Sequence, residues 1–485
     1  MPKILRPLDV YKYLPGTNCG KCGEASCMAF ASKLIERKVT PQQCIPLYEE
    51  PKYSEKLQKL LETIRPPVKE VWIGVEPNIL RIGGKEVLYR HELTWRNQTA
   101  IMIDVHDEMS PEEVKKRVGF VDSFKFIRIG RELTLDGVAV RCVSENPEKY
   151  VKTVMEIMEI TNKPIILCSV DPNIIEEALI VASKRKPLIY AATKQNWKEM
   201  GELAAKYKCP TAVTAEDPST LKSLSATLTR NYNIDDIVLD PQIKIGNIAE
   251  TLSTITALRR AAIEKEEKEL GYPIMTAPAA IWSIEEGDEN DKKILESVIA
   301  SNLISRFVDL VVLHTIDAWA IIPIVVWRDC VYTDPRFPPG VKPGLYEIGK
   351  PNEYSPVLST GNFALTYYLV RDDVEKAGIN AYLVIVDTEA TSLQSSVAGR
   401  KYTSDKVIEA IKEVKVGDKV KIKALILPGY AARLAGEVED ALMKDGWTIF
   451  VGPRDSGEIG AFYEKVFKPW LEERIAKEKE IKTNS

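Results

Sequence analysis

Three cysteines fall within nine positions of the segment NCGKCGEASCMAF, at Cys19, Cys22 and Cys27, and a fourth follows at Cys44. Half of the chain's eight cysteines are therefore spent on one short stretch of 485 residues. Their pattern is C-x2-C-x4-C-x16-C. Gly16, Gly20 and Gly23 leave the backbone free to wrap a compact inorganic core with its N–H groups turned toward sulfur. Four soft thiolates suit either zinc or an iron–sulfur cluster. A zinc ribbon pairs two C-x2-C knuckles, and the second pair is missing here, so the spacing favours [4Fe-4S], with structural zinc as the alternative. Cys142, Cys168, Cys209 and Cys330 sit singly, several at the ends of apolar runs, and read as small buried hydrophobes.

The elements around these residues follow from periodicity. After Cys27, MAFASKLIERKV sets Met28, Ala31 and Ile35 near helical spacing, a short helix that carries the chain toward Cys44. A charged, proline-marked connector, YEEPKYSEKLQKLLETIRPPVKE, separates this segment from the next, which gives an amino-terminal domain over residues 1–60. The length predicts several domains, and a 45% hydrophobic content supplies their cores. With 66 Lys+Arg against 70 Asp+Glu the net charge is −4 and no dense basic run occurs, so nucleic acid is not an expected partner. No signal peptide is expected at the start. The most apolar stretch, AWAIIPIVVW at 318–327, is too short to cross a bilayer and holds a proline, so a cytoplasmic protein without a membrane span is expected. Thiols stay reduced in that compartment, which points the cysteine cluster to a metal.

From residue 70 to about 331, short β-rich runs alternate with amphipathic segments: VWIGV, AIMIDV, FKFIRI, VAVRCV, PIILCSV, PLIYAA, TAVTA, DIVLD, PIMTA and DLVVLH. Apolar strands between crossover helices imply a parallel sheet covered on its faces, and about eight such units close a (β/α)8 barrel of TIM type. Asp104, Asp171 and Asp240 end strands, where they either face a ligand or cap the next helix, and capping is the reading preferred. His91, His106 and His314, the only histidines, lack partners at metal-ligand spacing and read as surface or core residues. EKEEKEL, at 264–270, reads as the solvated face of a long helix.

TDPRFPPGVKPGLYEIGKPN, residues 333–352, marks a boundary by its prolines and glycines. Beyond it, residues 353–485 repeat the strand–helix alternation of a small doubly wound, Rossmann-like domain. Ligands of such sheets sit outside the carboxyl ends of the strands. The loops there, STGNF, DTEATSLQSSVAGRKY, PGYAARLAGE and GPRDSGE, are crowded with hydroxyls and small residues that let a large, amide-fringed ligand approach the main chain. No GxGxxG follows the first strand, which disfavours a dinucleotide.

LPGTNCGKCGEASCMAFA with Cys44, STGNFALTYY, TSLQSSVAGRKY, and LPGYAARLAGEVED followed by VGPRDSGEI together resemble one family over essentially the whole chain. It is that of the large subunit of the corrinoid iron–sulfur protein, the gamma subunit of the acetyl-CoA decarbonylase/synthase complex in methanogenic archaea. The resemblance implies a methyl carrier and a methyltransferase of the methyltetrahydropterin:corrinoid/iron–sulfur protein type. Its cobalt accepts a methyl group from a methyltetrahydropterin, of tetrahydrosarcinapterin or tetrahydromethanopterin type. It then passes the group to the A cluster of acetyl-CoA synthase, or the reverse in acetate cleavage. By the same resemblance Cys19, Cys22, Cys27 and Cys44 hold a [4Fe-4S] cluster that reductively reactivates cobalt. The corrinoid would lie against Thr360, Thr366, Thr391, Ser392, Leu393, Gln394 and the loop from Gly452. The implied partners are a smaller barrel-containing subunit in a heterodimer and the acetyl-CoA synthase and carbon monoxide dehydrogenase subunits.

Many corrinoid proteins present a histidine to cobalt from a D-x-H-x-x-G segment, but none occurs after His314. A corrinoid bound there lacks a protein imidazole, which makes reduction to nucleophilic Co(I) easier. Hinges are expected at about 46–69 and 333–352, because the cobalt must meet several partners in turn. Two further readings compete with the methyl carrier: a pterin-binding methyltransferase whose cobalt is carried elsewhere, and an electron-transfer subunit that uses the cluster alone.

Overall fold

The computed structural model describes residues 5–483, so the first four and last two residues of the terminal domains lie outside the described residues. The chain divides into two compact units, residues 1–126 with 132–332 and residues 127–131 with 333–485.

The first unit is built on eight parallel strands: β1 (Ala100–His106), β2 (Gly137–Arg141), β3 (Ile165–Cys168), β4 (Leu188–Ala192), β5 (Thr211–Thr214), β6 (Ile237–Asp240), β7 (Met275–Thr276) and β8 (Leu310–Leu313). Their order is β6-β5-β4-β3-β2-β1-β8-β7, and one bridge between Leu239 and Ile274 joins the two ends. The result is the expected (β/α)8 barrel. Each strand reads as an apolar run because it is covered on both faces. In β1, Ile101, Ile103 and Val105 pack outward against the helices, whereas Ala100 and Met102 point inward. Pro-initiated helices with Ser, Asn or Asp caps, such as Pro111–Ser123 after Ser110 and Pro147–Ile160 after Asn146, return the chain from strand to strand.

Two runs that read as barrel strands pair otherwise. VWIGV supplies Glu70–Ile73, which is antiparallel to Leu80–Gly83, and Val71, Ile73 and Ile82 join the barrel's interior core. FKFIRI belongs to a separate two-stranded sheet, Lys125–Arg128 with Arg131–Thr134. EKEEKEL is not a helix face either, because the helix ends at Glu264 and a short 3-10 turn follows at Lys268–Leu270.

An ion triad underlies the strands. Asp309, just before β8, pairs with Lys85 and with Arg259 at 2.6 Å, all three essentially buried. Lys85 also lies 5.5 Å from the ring centroids of both Trp95 and Tyr332. Burial would push the Asp309 carboxyl up, but the two cations outweigh it and hold it below its ordinary value. Asp309→Ala would strand two buried cations, and a loss of about 3–5 kcal/mol is expected, read as a lowered urea midpoint.

The amino-terminal segment carries α1 (Cys27–Ile35), whose Phe30, Ala31 and Leu34 form a small core with Leu47 and Leu60. The connector at 46–69 is mostly helical, with Ser54–Ile64 set down on that core through Leu60.

Toward the end of the first unit run α2 (Glu289–Ser305) and α3 (Ala318–Tyr332), the latter formed by the most apolar stretch of the sequence. Among the described residues no helix is long and apolar enough to cross a membrane.

The second unit has five strands: β9 (Gly344–Ile348), β10 (Val357–Gly361), β11 (Ala381–Val386), β12 (Ala424–Leu427) and β13 (Thr448–Val451), in the order β9-β11-β10-β12-β13. All pairs are parallel except β9 with β11. The edge strand β9 lies inside the proline-rich stretch that marks the boundary in sequence. Successive residues of β12 enter two cores, Leu425 and Leu427 one and Ala424 and Ile426 the other. Both faces are therefore covered, as in a doubly wound sheet. Helix α4 (Ala364–Lys376) follows β10.

Candidate functional site

Cys19, Cys22, Cys27 and Cys44 line one small cavity, together with Asn18, Phe30 and Pro46. Cys19 is exposed, Cys22 half-buried, and Cys27 and Cys44 buried. Local chemistry fixes each. The Asn18 side-chain oxygen accepts the Cys27 N–H at 2.8 Å, and the Ser26 hydroxyl accepts that of Ala29 at 3.1 Å, so Cys27 opens α1 at a capped end. Gly20 and Gly23 take φ of +70° and +83° with open space around them. Their conformation, not lack of room, requires glycine. Burial pushes the Cys44 thiol up, and the other three sulfurs add to this. The N–H of Lys21 and the hydroxyl of Thr17 hold the Cys19 thiol below its ordinary value. Among the described residues, no three His, Cys, Asp or Glu side chains converge closely enough to share a single ion.

The second site is a cleft of about 260 Å³ in the carboxyl-terminal unit. It opens at the carboxyl ends of β10 and β12, where the strand order reverses direction. Thr360, Thr366, Ser392, Leu393, Gln394 and Gly452, all singled out in the sequence, line it together. Thr391 does not: its hydroxyl donates to the Thr388 carbonyl at 2.6 Å and holds the turn behind the cleft. Thr360 lines the cleft, and its buried hydroxyl has no hydrogen-bond partner in the protein. A buried hydroxyl left unpaired costs about 1–3 kcal/mol, so a polar ligand atom there would recover it.

Several residues that shape this cleft escape a reading of motifs. The Asn362 side-chain oxygen accepts from the Thr388 N–H, the Thr388 hydroxyl and the Ala390 N–H, each at 2.9 Å, and so fixes the loop after β11. A Cβ on Gly429 would stand 2.7 Å from the Arg454 nitrogen and the Pro453 carbonyl carbon, which is why the loops after β12 and β13 can touch. Leu369 of α4, half exposed, and Tyr430, with the Arg454 guanidinium 5.9 Å from its ring centroid, add apolar wall.

The strand-end carboxylates divide. Asp171 caps the helix Pro172–Ala182, accepting the Asn173 N–H at 2.9 Å, as expected. Asp104 and Asp240 do not cap; they point into the barrel mouth. Asp104 meets Arg117 at 3.2 Å, Arg141 at 2.6 Å and His314 at 2.7 Å. Its burial would raise the carboxyl, yet the His314 hydrogen bond and the neighbouring positive charges hold it below the ordinary value. Asp240 accepts from the Tyr190 hydroxyl at 2.6 Å and the Thr214 hydroxyl at 3.2 Å, and burial pushes it up. His314 is thus a partnered residue, and His106 is half-buried.

Of the isolated cysteines only Cys209 is fully buried; the rest are partly so. Burial pushes the Cys142 and Cys209 thiols up to about 11 and the Cys168 thiol to about 12. Since only thiolate reacts, iodoacetamide at pH 8 is expected to leave these three unmodified until the chain is unfolded, as peptide mass mapping would show.

Comparison with known proteins places these sites in context. Residues 70–463 match the family described as the CO dehydrogenase/acetyl-CoA synthase delta subunit. Residues 14–46 match a family whose description proposes an Fe-S cluster. The acetyl-CoA decarbonylase/synthase complex subunit gamma of Archaeoglobus fulgidus is 43% identical over 96% of this chain and 99% of that protein. The gamma subunit of Methanocaldococcus jannaschii is 40% identical over 97% and 99%. Gamma 2 of Methanosarcina thermophila is 42% identical over 96% and 100%. Among solved structures, the dihydropteroate synthase of Thermus thermophilus covers 55% of this chain and 100% of its own, at 15% identity and a TM-score of 0.37.

Proposed function

Because this chain belongs to the gamma-subunit family of the acetyl-CoA decarbonylase/synthase complex, we propose that it is the complex's methyl carrier, with a corrinoid in the carboxyl-terminal cleft and a [4Fe-4S] cluster on its four amino-terminal cysteines. The observation that carries this reading is the cleft itself: it opens at the sheet's crossover and is lined by Thr360, whose buried hydroxyl has no hydrogen-bond partner in the protein. A bound corrinoid would supply the chemistry, its cobalt taking a methyl group from a methyltetrahydropterin and giving it to the A cluster of acetyl-CoA synthase, or the reverse.

The chain's own residues bind and tune. Thr360, Thr366, Ser392 and Gln394 offer hydroxyl and amide groups to an amide-fringed ring, and Gly452 brings bare backbone to the cleft wall. The unit that carries the cleft contains no histidine, so it offers cobalt no imidazole, which favours the reduced, nucleophilic metal. Cys19, Cys22, Cys27 and Cys44 would hold the cluster that returns oxidised cobalt to that state. The partners under this reading are a delta-type subunit and the subunits that bear the carbon monoxide dehydrogenase and acetyl-CoA synthase centres, in the cytoplasm.

A second reading, a pterin-binding methyltransferase, is favoured by the polar layer of Asp104, Arg141, Tyr190 and Asp240 at the barrel mouth, where enzymes of this architecture keep their sites. Oxygen-free purification with metal analysis separates the two. Iron and cobalt together with a corrinoid visible spectrum are expected. Pterin binding without any capacity to retain a corrinoid would favour the second reading, and iron alone would leave an electron-transfer subunit.

A further inference from the structure

Apart from the four cysteines, one charged side chain among the described residues lines the amino-terminal cavity, that of Glu24. It follows the left-handed turn at Gly23, and its side chain is only 13% exposed. Lys33, in the last turn of α1, reaches back nine positions, and its ammonium donates to the Glu24 carboxylate at 2.6 Å. The Lys33 side chain stays 45% exposed and does not line the cavity. Other ion pairs of this segment differ: Lys38 with Glu36, Lys52 with Glu50 and Lys59 with Glu55 join carboxylates that are at least 44% exposed. Folding does not account for the buried carboxylate. A pair open to water on one side contributes little stability. Once metal is bound, the carboxylate also stands among thiolates, where like charges repel. That repulsion grows with each electron the site takes up.

We propose that Glu24 and Lys33 set the reduction potential of the iron–sulfur centre, the carboxylate opposing entry of the electron and the ammonium offsetting the carboxylate. This rests on the reading of the four cysteines as a [4Fe-4S] site and goes beyond it by naming the charges that tune it. The step is one electron in and one out: the oxidised core takes an electron from a low-potential one-electron donor and passes it to Co(II), which becomes Co(I). No bond of the chain forms or breaks, so fixed charges and hydrogen bonds around the core are the means by which the protein weights its two oxidation states. A lower potential helps the transfer to cobalt and hinders the loading of the core. Glu24 alone would make the core hard to load, and Lys33 alone would make it a weak reductant. Of the two only Glu24 lines the cavity, so its charge weighs more.

The test holds the full chain, prepared anaerobically, at a series of potentials set with titanium(III) citrate, and reads the reduced core by electron paramagnetic resonance. Glu24→Gln is expected to raise the ratio of reduced to oxidised core about tenfold at a given potential, a shift of about 59 mV for one electron. Lys33→Met is expected to lower the same ratio about threefold or more. Lys33→Arg, which keeps the charge, should match the parent chain, and the pair Glu24→Gln with Lys33→Met should fall between the two single variants. Iron should stay at about four atoms per chain throughout. Should Glu24→Gln lose iron, Lys33→Met decides alone, because Lys33 lies outside the cavity lining. Single variants that leave the ratio unchanged, or move it in the same direction, overturn the proposal. A parent chain that holds zinc in place of iron refutes the cluster and removes the proposal with it, whereas a full complement of iron with an unmoved ratio refutes the proposal alone.

Discussion

Cys27→Ser is expected to empty the amino-terminal site, iron falling from about four atoms per chain to fewer than about one, with the broad visible absorption of the cluster lost. The expectation is strong because Cys27 serves twice. Its sulfur lines the cavity with the other three, and its N–H, held by Asn18, sets where α1 begins. Serine keeps the helix start and removes the soft ligand, so the change isolates metal binding from folding. Cys209→Ser, buried in the barrel, should leave iron untouched. Cobalt that has slipped to an oxidised state should then stay there with a reductant that restores the parent chain. Iron retained in the variant would overturn the ligand assignment, and one tightly held zinc per parent chain would replace the cluster with a structural ion.

The second large effect is expected at Asn362, which touches the cleft only through the loop it holds. Asn362→Leu removes one acceptor from three donors at once, the Thr388 N–H and hydroxyl and the Ala390 N–H. Each donor left unsatisfied costs about 1–3 kcal/mol, so the loop would rearrange to find other partners. That loop delivers Ser392, Leu393 and Gln394 to the cleft wall. If relaxation recovers most of the cost and about 2 kcal/mol of positioning is lost, corrinoid affinity falls roughly 30-fold. Titration of the cofactor-free chain with a cobamide measures this. Unchanged affinity in the leucine variant would move the corrinoid elsewhere.

Much of this could be read from the sequence, and the misreadings share a cause. Eight apolar runs became barrel strands because a parallel strand covered on both faces has no alternative to being apolar throughout. VWIGV and FKFIRI carry the same local signal, but periodicity reports that a segment is extended and not which neighbour it pairs with. The preference for helix capping fails at Asp104 and Asp240. The two-residue alternation holds the clue: Asp104 is in phase with Met102, and Asp240 with Val238, both of which face the barrel interior. Six of the seven residues that the family resemblance implies for the cleft do line it, at the strand ends where the hydroxyl-rich loops gather. Asn362 gave no comparable signal, since its value lies in three contacts made across 26 and 28 positions of sequence.

The barrel is not equally strong around its circumference. Between β6 and β7 a single bridge does the work that full ladders do elsewhere, and β7 is only two residues long. Thermal opening should start at this seam, where fewest amides must part, and Asp240 ends the strand on one side of it. The carboxylate that burial keeps reluctant to ionise therefore stands beside the stave most easily loosened.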